Sequence, residues 1–545
     1  MMKKKGISVL LSLAVAMSVA ACGSSGSGNS GTADSSAEDT ESAAADTGAQ
    51  ENAADAGDAA QEAIEERKSS GEYPLITMAM LSFTGPSDGA ERVNQLINEY
   101  TEETYGISVE ILNYDVANYT QQLQLAFASG EPIDLFSAVS IGYSNSINTG
   151  YTYDLEQDDL IQTYGQGILE AVGDNYIETC RVNGTLYGVP NMKEYSNGIG
   201  GFFVPKKYLD EIGYDYETAL SEQGSDTFVL PDTILCDYDL VDEIFAKLHE
   251  AYPDKYVFGP QSYEKHAVEV DSVGGDLFGV LFSDSEDTTL QNLFENEDWL
   301  EYLRHVYQWN QAGYISPDAL TDTTDINTKV AAGEILTFLS NVKPGQSTAY
   351  NAALGGMVIF QTGGYFSASN AVNDMPWCIG SNCEDPIAAM QLLNAFYTDP
   401  VLENLICWGE ENVDYVVDEN GLAAYPEGKE YDDIEYKLGV SWEMPNQFIS
   451  YISNTSSPDL WDQYNEMNSA AKQSIVSGFI FDNSSVQNEY IALTNIWSEY
   501  QPQLMYGFVD PDETTPELIQ KLEDAGYETY VAEKQKQLDA WLAER

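Results

Sequence analysis

The chain has 545 residues, with 89 acidic against 23 basic side chains and a formal charge of −66 at neutral pH. Such a surface repels phosphate backbones, which excludes nucleic acid as a partner. The length exceeds one ordinary domain, so two or more lobes are expected.

The chain opens with Lys3, Lys4 and Lys5, an apolar run over residues 7–19, and Val19-Ala20-Ala21-Cys22. This is a secretory signal whose cleavage site falls at a cysteine. The run is shorter than the roughly 20 apolar residues that span a bilayer, and a polar tail follows at once. The pattern resembles the lipobox of bacterial lipoproteins. That resemblance implies a signal peptide over residues 1–21, acylation (palmitate) at Cys22, and a protein held on the extracytoplasmic face of the cell membrane. Loss of the signal leaves 20 basic against 89 acidic residues, a charge of −69. From Cys22 to residue 72 the chain is mainly Gly, Ser, Ala, Thr and acids, with almost no apolar side chain larger than alanine and no basic residue before Arg67. It is predicted to be a disordered tether with a reach on the order of 40 Å.

Order is expected from Pro74. Residues 75–83 read as a buried strand, and Val93, Leu96, Ile97 and Tyr100 recur at helical spacing. Ile107, Val109 and Ile111 alternate as a strand, Tyr119, Leu123, Ala126 and Phe127 form a helical face, and residues 133–139 are apolar again. Strand, helix, strand, helix, strand predicts an α/β fold with a parallel sheet flanked by helices, its ligand beyond the carboxyl ends of the strands at residues 82–89 and 140–146. A Gly-x-Pro break at Gly188-Val189-Pro190 precedes a second alternating series and marks a crossing between lobes, with a return near residues 358–364. The expected division is 74–189 with 365–440 as one lobe and 190–357 with 441–545 as the other. Helical faces follow at residues 299–313 and 386–397, and two helices close the chain, the first starting at Thr515-Pro516 and stopping at Gly526.

With Cys22 committed to lipid, Cys180, Cys236, Cys378, Cys383 and Cys407 remain, an odd number that argues against a disulfide scaffold. Cys378 and Cys383 are close enough to pair or to stay as buried thiols. Asp418, Asn420 and Gly421 begin like a calcium loop but lack its later ligands, so a tight turn is expected. The three histidines form no metal motif, and no nucleophile elbow, phosphate loop or dinucleotide fingerprint is present. No cofactor, metal site or catalytic residue is predicted. The 36 Tyr, 8 Trp and 19 Phe supply flat faces that match sugar rings, most of them destined for the core.

The stretches Gln121-Gln122-Leu123-Gln124-Leu125-Ala126-Phe127-Ala128-Ser129-Gly130-Glu131-Pro132-Ile133-Asp134-Leu135-Phe136 and Phe202-Phe203-Val204-Pro205-Lys206-Lys207-Tyr208-Leu209 resemble the family 1 extracellular solute-binding proteins of ABC sugar importers. The remainder, through Trp408-Gly409, residues 478–482 and residues 533–541, is similar to the C-terminal domain of uncharacterised function (DUF3502) of one lipoprotein branch, placed here at about residues 400–545. The resemblance implies a two-lobed binding-protein fold of type II, with a solute held between the lobes and no chemistry performed on it. Carried over by position, the candidate ligand residues are Ser82, Phe83, Tyr114, Ser140, Tyr143, Lys193, Glu194, Tyr195, Trp377 and Trp442. The expected function is a lipid-anchored, monomeric receptor that captures a neutral oligosaccharide and delivers it to ABC permease subunits, and it is not expected to be an enzyme. The competing readings are a surface glycan-active enzyme and a receptor for a peptide or other polar solute.

Overall fold

Leu75–Ser82 begins the first of two sheets, and seven of its eight residues are buried, as a parallel strand covered on both faces should be. The computed structural model describes residues 45–83, 85–223, 228–259, 267–283, 285–322, 324, 326–349 and 356–545. The expected signal segment, Cys22 and the expected tether as far as residue 44 lie outside the described residues. In chain order the strands of the two sheets are β1 (Leu75–Ser82), β2 (Ser108–Asp115), β3 (Leu135–Ser137), β4 (Asn197–Pro205), β5 (Thr233–Leu235), β6 (Tyr256–Gly259), β7 (Ile335–Val342), β8 (Met357–Gln361), β9 (Tyr365–Ser367), β10 (Trp377–Ile379) and β11 (Lys472–Gln473). The longer helices are α1 (Ala45–Ser70), α2 (Ala90–Tyr105), α3 (Tyr119–Ser129), α4 (Tyr238–Ala251), α5 (Glu297–Gln311), α6 (Pro386–Thr398), α7 (Pro400–Trp408), α8 (Leu460–Ala470), α9 (Gln487–Met505), α10 (Pro511–Asp524) and α11 (Tyr527–Ala543).

The first sheet has the order β10-β3-β1-β2, with β1 parallel to both neighbours and β10 antiparallel at the edge. Its helices follow the predicted periodicity. α2 buries Val93, Ile97 and Thr101, and it stops where Gly106 turns left-handed at φ +65°. In the second sheet β4 is central and antiparallel to β7, β8 and β9, while β6 runs parallel to β7 and β5 parallel to β8. The carboxyl ends of β5, β6, β7 and β8 therefore share the edge at which β4 begins, where the chain arrives from the first lobe. β4 owes its close neighbours to glycine: a Cβ on Gly201 would lie 2.2 Å from a Val342 methyl, and one on Gly198 2.6 Å from Gln361 Oε1.

One core binds the second sheet to the C-terminal helices. Phe202 stands edge-on to Trp309 (5.6 Å) and Phe245 (5.9 Å), and the same cluster includes Trp497, Leu518, Tyr530 and Leu538. α5 feeds it through Trp299, Tyr302, Leu303, Val306 and Trp309, its first turn fixed by Asn296 Oδ1 accepting from the Trp299 N–H at 3.0 Å. α11 is clipped in place by Lys534, which is fully buried and donates to Asp276 Oδ1 (2.9 Å) and to the carbonyls of Phe278 (2.6 Å) and Gly279 (3.3 Å).

Several expectations need correction. The second half of the predicted tether is helix α1: Ala56, Ala59, Ala60, Ala63, Ile64 and Arg67 form its half-buried face. Alanine is the strongest helix former and lets a helix sit close, so a face without large side chains still docks. Arg67 donates to Gln391 and to the Tyr105 carbonyl (3.4 Å), and Gln391 Nε2 donates to the Ala60 carbonyl (2.7 Å). The return crossing is later than residues 358–364, because β8 and β9 both pair with β4; the chain reaches the first sheet only at β10. Residues 440–444 also pack with the first lobe, through Val440, Trp442 and Met444. α10 starts at Pro511, capped by Asp510, and continues through Pro516, whose missing N–H leaves the Asp512 carbonyl without its helical donor. The five described cysteines are free thiols, and Asp418 closes the expected turn by accepting from the N–H groups of Asn420 (2.8 Å) and Leu422 (3.0 Å).

Candidate functional site

The strand ends of the first lobe place the predicted loops along one edge, where β1 ends at Ser82, β2 at Asp115 and β3 at Ser137. Beside Ser82, Phe83 is 56% exposed, and its ring lies 6.4 Å from that of half-buried Trp442. Trp442 is held from behind, its carbonyl accepting from Asn191 Nδ2 at 2.7 Å. Tyr114 is half-buried with its ring edge-on to Tyr119 (6.3 Å), and Ser140 is exposed at φ +63°. Lys193 is half-buried where the chain crosses between lobes, and its carbonyl accepts from Asn468 Nδ2 at 3.1 Å.

The other predicted residues are turned inward. Tyr143 is buried in the first lobe, donating to the Cys180 carbonyl at 2.7 Å and accepting from the Tyr187 N–H at 3.2 Å. It opens a short helix, Tyr143–Asn148, whose inner face carries Tyr143 and Ser146, so the ring at the strand end points to the core. Tyr195 is likewise buried, its hydroxyl donating to the Asn191 carbonyl (2.8 Å) and its ring 4.9 Å from Tyr176. Trp377 is fully buried in β10, with Nε1 donating to the Glu443 carbonyl at 2.8 Å. Ser82 is buried and donates to the Gly85 carbonyl (2.8 Å). Glu194 is buried against Lys343; burial opposes its charge, but Lys343 and Lys193 outweigh that and hold its carboxyl below the usual range.

The second lobe offers a cavity of about 520 Å³ at the carboxyl ends of β5 and β8, lined by Asp237, Tyr238, Glu269, Glu301, His305 and Thr362 among others. Tyr238 and His305 are stacked 4.7 Å apart at an interplanar angle of 20°. Asp242 fixes that pair, with Oδ2 3.1 Å from His305 Nδ1 and Oδ1 accepting from Trp309 Nε1 at 2.6 Å. Glu269 accepts from the Gly364 N–H and from the Ser283 hydroxyl. At the end of β7, Asn341 Nδ2 donates to Asn197 Oδ1 (3.0 Å), tying the strand exit to the crossing. None of these residues was singled out from sequence, because they are far apart in the chain and meet only through the parallel alignment of β5 to β8. The available signal was the polar cluster that follows each apolar strand run. Among the described residues no group of three or more His, Cys, Asp or Glu is arranged to hold a metal ion.

The profile of the bacterial extracellular solute-binding proteins matches residues 95–406, more than half of the chain. The chain belongs to that family. A domain of unknown function (DUF3502) matches residues 475–543 of this solute-binding protein, a shorter span than the one expected from about residue 400. A carbohydrate ABC transporter substrate-binding protein of Streptococcus pneumoniae serotype 4 is 24% identical over 498 residues, 87% of this chain and 92% of that protein. The crystal structure of the N-glycan transport solute binding protein NgtS from Streptococcus pneumoniae superposes with a TM-score of 0.73 at 22% identity, covering 86% of this chain and 99% of that one. Its complex with Man5GlcNAc superposes at 0.66 and 22% identity, over 87% and 99% of the two chains. The solute-binding fold is thus a two-lobed α/β architecture with a four-stranded sheet in one lobe and a seven-stranded sheet in the other.

One buried acid of this solute-binding protein neighbours Trp442 in the chain. Glu443, next to Trp442, accepts from the Leu81 N–H at the end of β1 (3.2 and 3.3 Å), and burial pushes its carboxyl from 4.5 up to about 8. The folded state therefore binds this proton more tightly than the unfolded chain. Its contribution to stability is complete below about pH 4.5 and is lost as the pH rises towards 8. Glu443→Gln, which keeps the neutral shape, should flatten the stability profile over that range, by at most roughly 1.4 kcal/mol per pH unit relative to the parent. Urea unfolding of both proteins at pH 5, 6.5 and 8 checks this, and parallel profiles would show that Glu443 is already ionised at neutral pH.

Proposed function

We propose that this protein is a lipid-anchored receptor that captures a neutral oligosaccharide between its two lobes and passes it to the permease of an ABC importer. The observation that carries the reading is the exposed Phe83 ring set against Trp442 just past the end of β1, among the loops at the carboxyl ends of the first sheet's strands. What sets Phe83 apart from the other exposed apolar side chains is its place at a strand end beside the Trp442 ring, and sugar C–H faces are a ligand surface that such a pair suits. The carboxylates around the second-lobe cavity supply acceptors for sugar hydroxyls, and a protein of charge −66 disfavours a polyanionic solute. The pneumococcal relatives support the same class: one is named a carbohydrate substrate-binding protein, and NgtS was crystallised with Man1GlcNAc and with Man5GlcNAc. Of the sequence candidates, Phe83, Trp442, Tyr114, Ser140 and Lys193 keep a ligand-facing role in this reading, whereas Tyr143, Tyr195 and Trp377 act through the core. A thermal-shift screen over neutral oligosaccharides, the two NgtS glycans included, tests it. A true ligand at 100 times its Kd adds roughly 2.7 kcal/mol, and a flat response to every saccharide alongside a shift with peptides would overturn the reading.

The anchor is the second part of the proposal. Among the described residues no helix is long and apolar enough to cross a membrane. The Val19-Ala20-Ala21-Cys22 pattern supports attachment through Cys22, and Cys22→Ser should abolish incorporation of labelled fatty acid. Labelling that persists in this variant would refute lipidation at that site.

A further inference from the structure

A second cavity of about 520 Å³ separates the first lobe from the C-terminal region of unknown function. On one side stand the short helix Tyr143–Asn148, through Asn148, and the turn of the hairpin Arg181–Val182/Thr185–Leu186, through Asn183. On the other are Asp482 and the last turns of α11, with Trp541 and Arg545. Three features set this cavity apart from the acidic one beside β5 and β8. Asn148 Nδ2 donates to Asp482 Oδ1 at 2.8 Å, so the two walls already meet across the gap. Arg181 is neutralised within its own wall, at 2.6 Å from Glu156 and 2.7 Å from Glu178. Trp541 is only half-buried, its edge against Phe479 (5.8 Å) and its face covered by the exposed Arg545 guanidinium at 3.9 Å.

A displaceable cation over an indole, two amides and internally paired charges make a surface suited to an uncharged polyhydroxyl ligand. The position fits the same ligand. The helix Tyr143–Asn148, which brings Asn148 to the cavity, starts three residues after Ser140 in the loop that follows β3, the strand paired with β1. We propose that this cavity is a second saccharide subsite, that it receives the sugars of a longer chain that extend past the Phe83–Trp442 pair, and that the C-terminal region supplies one of its walls. Trp541 stacks on a pyranose after Arg545 moves aside, and Asn183 and Asn148 take its hydroxyls. The role of the C-terminal region is then to select for length.

The inference rests on the saccharide-receptor reading, and the test separates the two. Calorimetric titration with Man1GlcNAc and Man5GlcNAc is carried out on the parent protein, Trp541→Leu and Asn183→Gly. The second variant keeps the left-handed turn at φ +52° and removes only the amide. The expected result is that the parent favours the longer glycan, and that each variant loses about tenfold in affinity for it while its affinity for the disaccharide is unchanged, a loss of one hydrogen-bonding or stacking contact. Equal losses for both glycans, or no loss for either, would overturn the subsite and leave the receptor reading intact. Failure of the parent to bind either glycan would overturn the subsite as a site for these chains, while the receptor reading is decided by the wider saccharide screen.

Discussion

Lys534→Ala is expected to destabilise the second lobe by about 3–5 kcal/mol, the cost of leaving a buried charge without its partner. The ammonium has no solvent access and serves Asp276 and two carbonyls, while the other Asp276 oxygen accepts from the Tyr530 hydroxyl at 2.6 Å. Removing it leaves the Asp276 carboxylate with the Phe278 N–H (2.7 Å) and the Tyr530 hydroxyl but without its counter-charge, and leaves the two carbonyls without this donor. Lys534→Met, which keeps the packing against the Phe481 and Tyr530 rings, should cost less. Because Trp497, Tyr530 and Leu538 share one core with Phe202 and Trp309, the loss should appear as a lowered midpoint of the whole lobe in urea. A change under 1 kcal/mol, or separate unfolding of residues 475–543, would show that this region docks loosely.

The second large effect is on binding. Phe83→Ala and Trp442→Ala should each weaken saccharide affinity by roughly tenfold or more, in the range of a stacking anchor. Phe83 is 56% exposed, so its truncation should change stability by no more than about 0.5 kcal/mol. Tyr143→Ala is the contrasting control: it removes a buried ring and two hydrogen bonds, so its cost of about 3–5 kcal/mol falls on folding. Calorimetry and urea titration of the three variants separate the two classes, and full affinity in both Phe83→Ala and Trp442→Ala would remove the aromatic pair from the site.

The contrast between Phe83 and Tyr143 also shows what the sequence could and could not tell. Both follow apolar strands, and the Val93/Ile97 and Leu123/Ala126 periodicities correctly implied the parallel sheet that aims both loops at one edge. Which ring faces water depends on the phase of a helix six residues long, too short for periodicity to fix. The second-lobe cavity was illegible for another reason. Tyr238, Glu269, His305 and Thr362 are brought together by strand alignment, and each alone is an ordinary polar or aromatic residue. The tether was misjudged because its alanines were counted as too small to pack, although on α1 that smallness is what lets the helix lie against Gln391.

The central claim, a neutral saccharide bound without ion pairing, is met most directly by calorimetric titration of the parent protein with Man5GlcNAc at 20 mM and 500 mM salt. Stacking and hydrogen bonds are not screened, so the account predicts saturable binding whose Kd changes less than about threefold between the two conditions. A steep loss of affinity with salt, or binding of charged solutes in the absence of any saccharide binding, would contradict it.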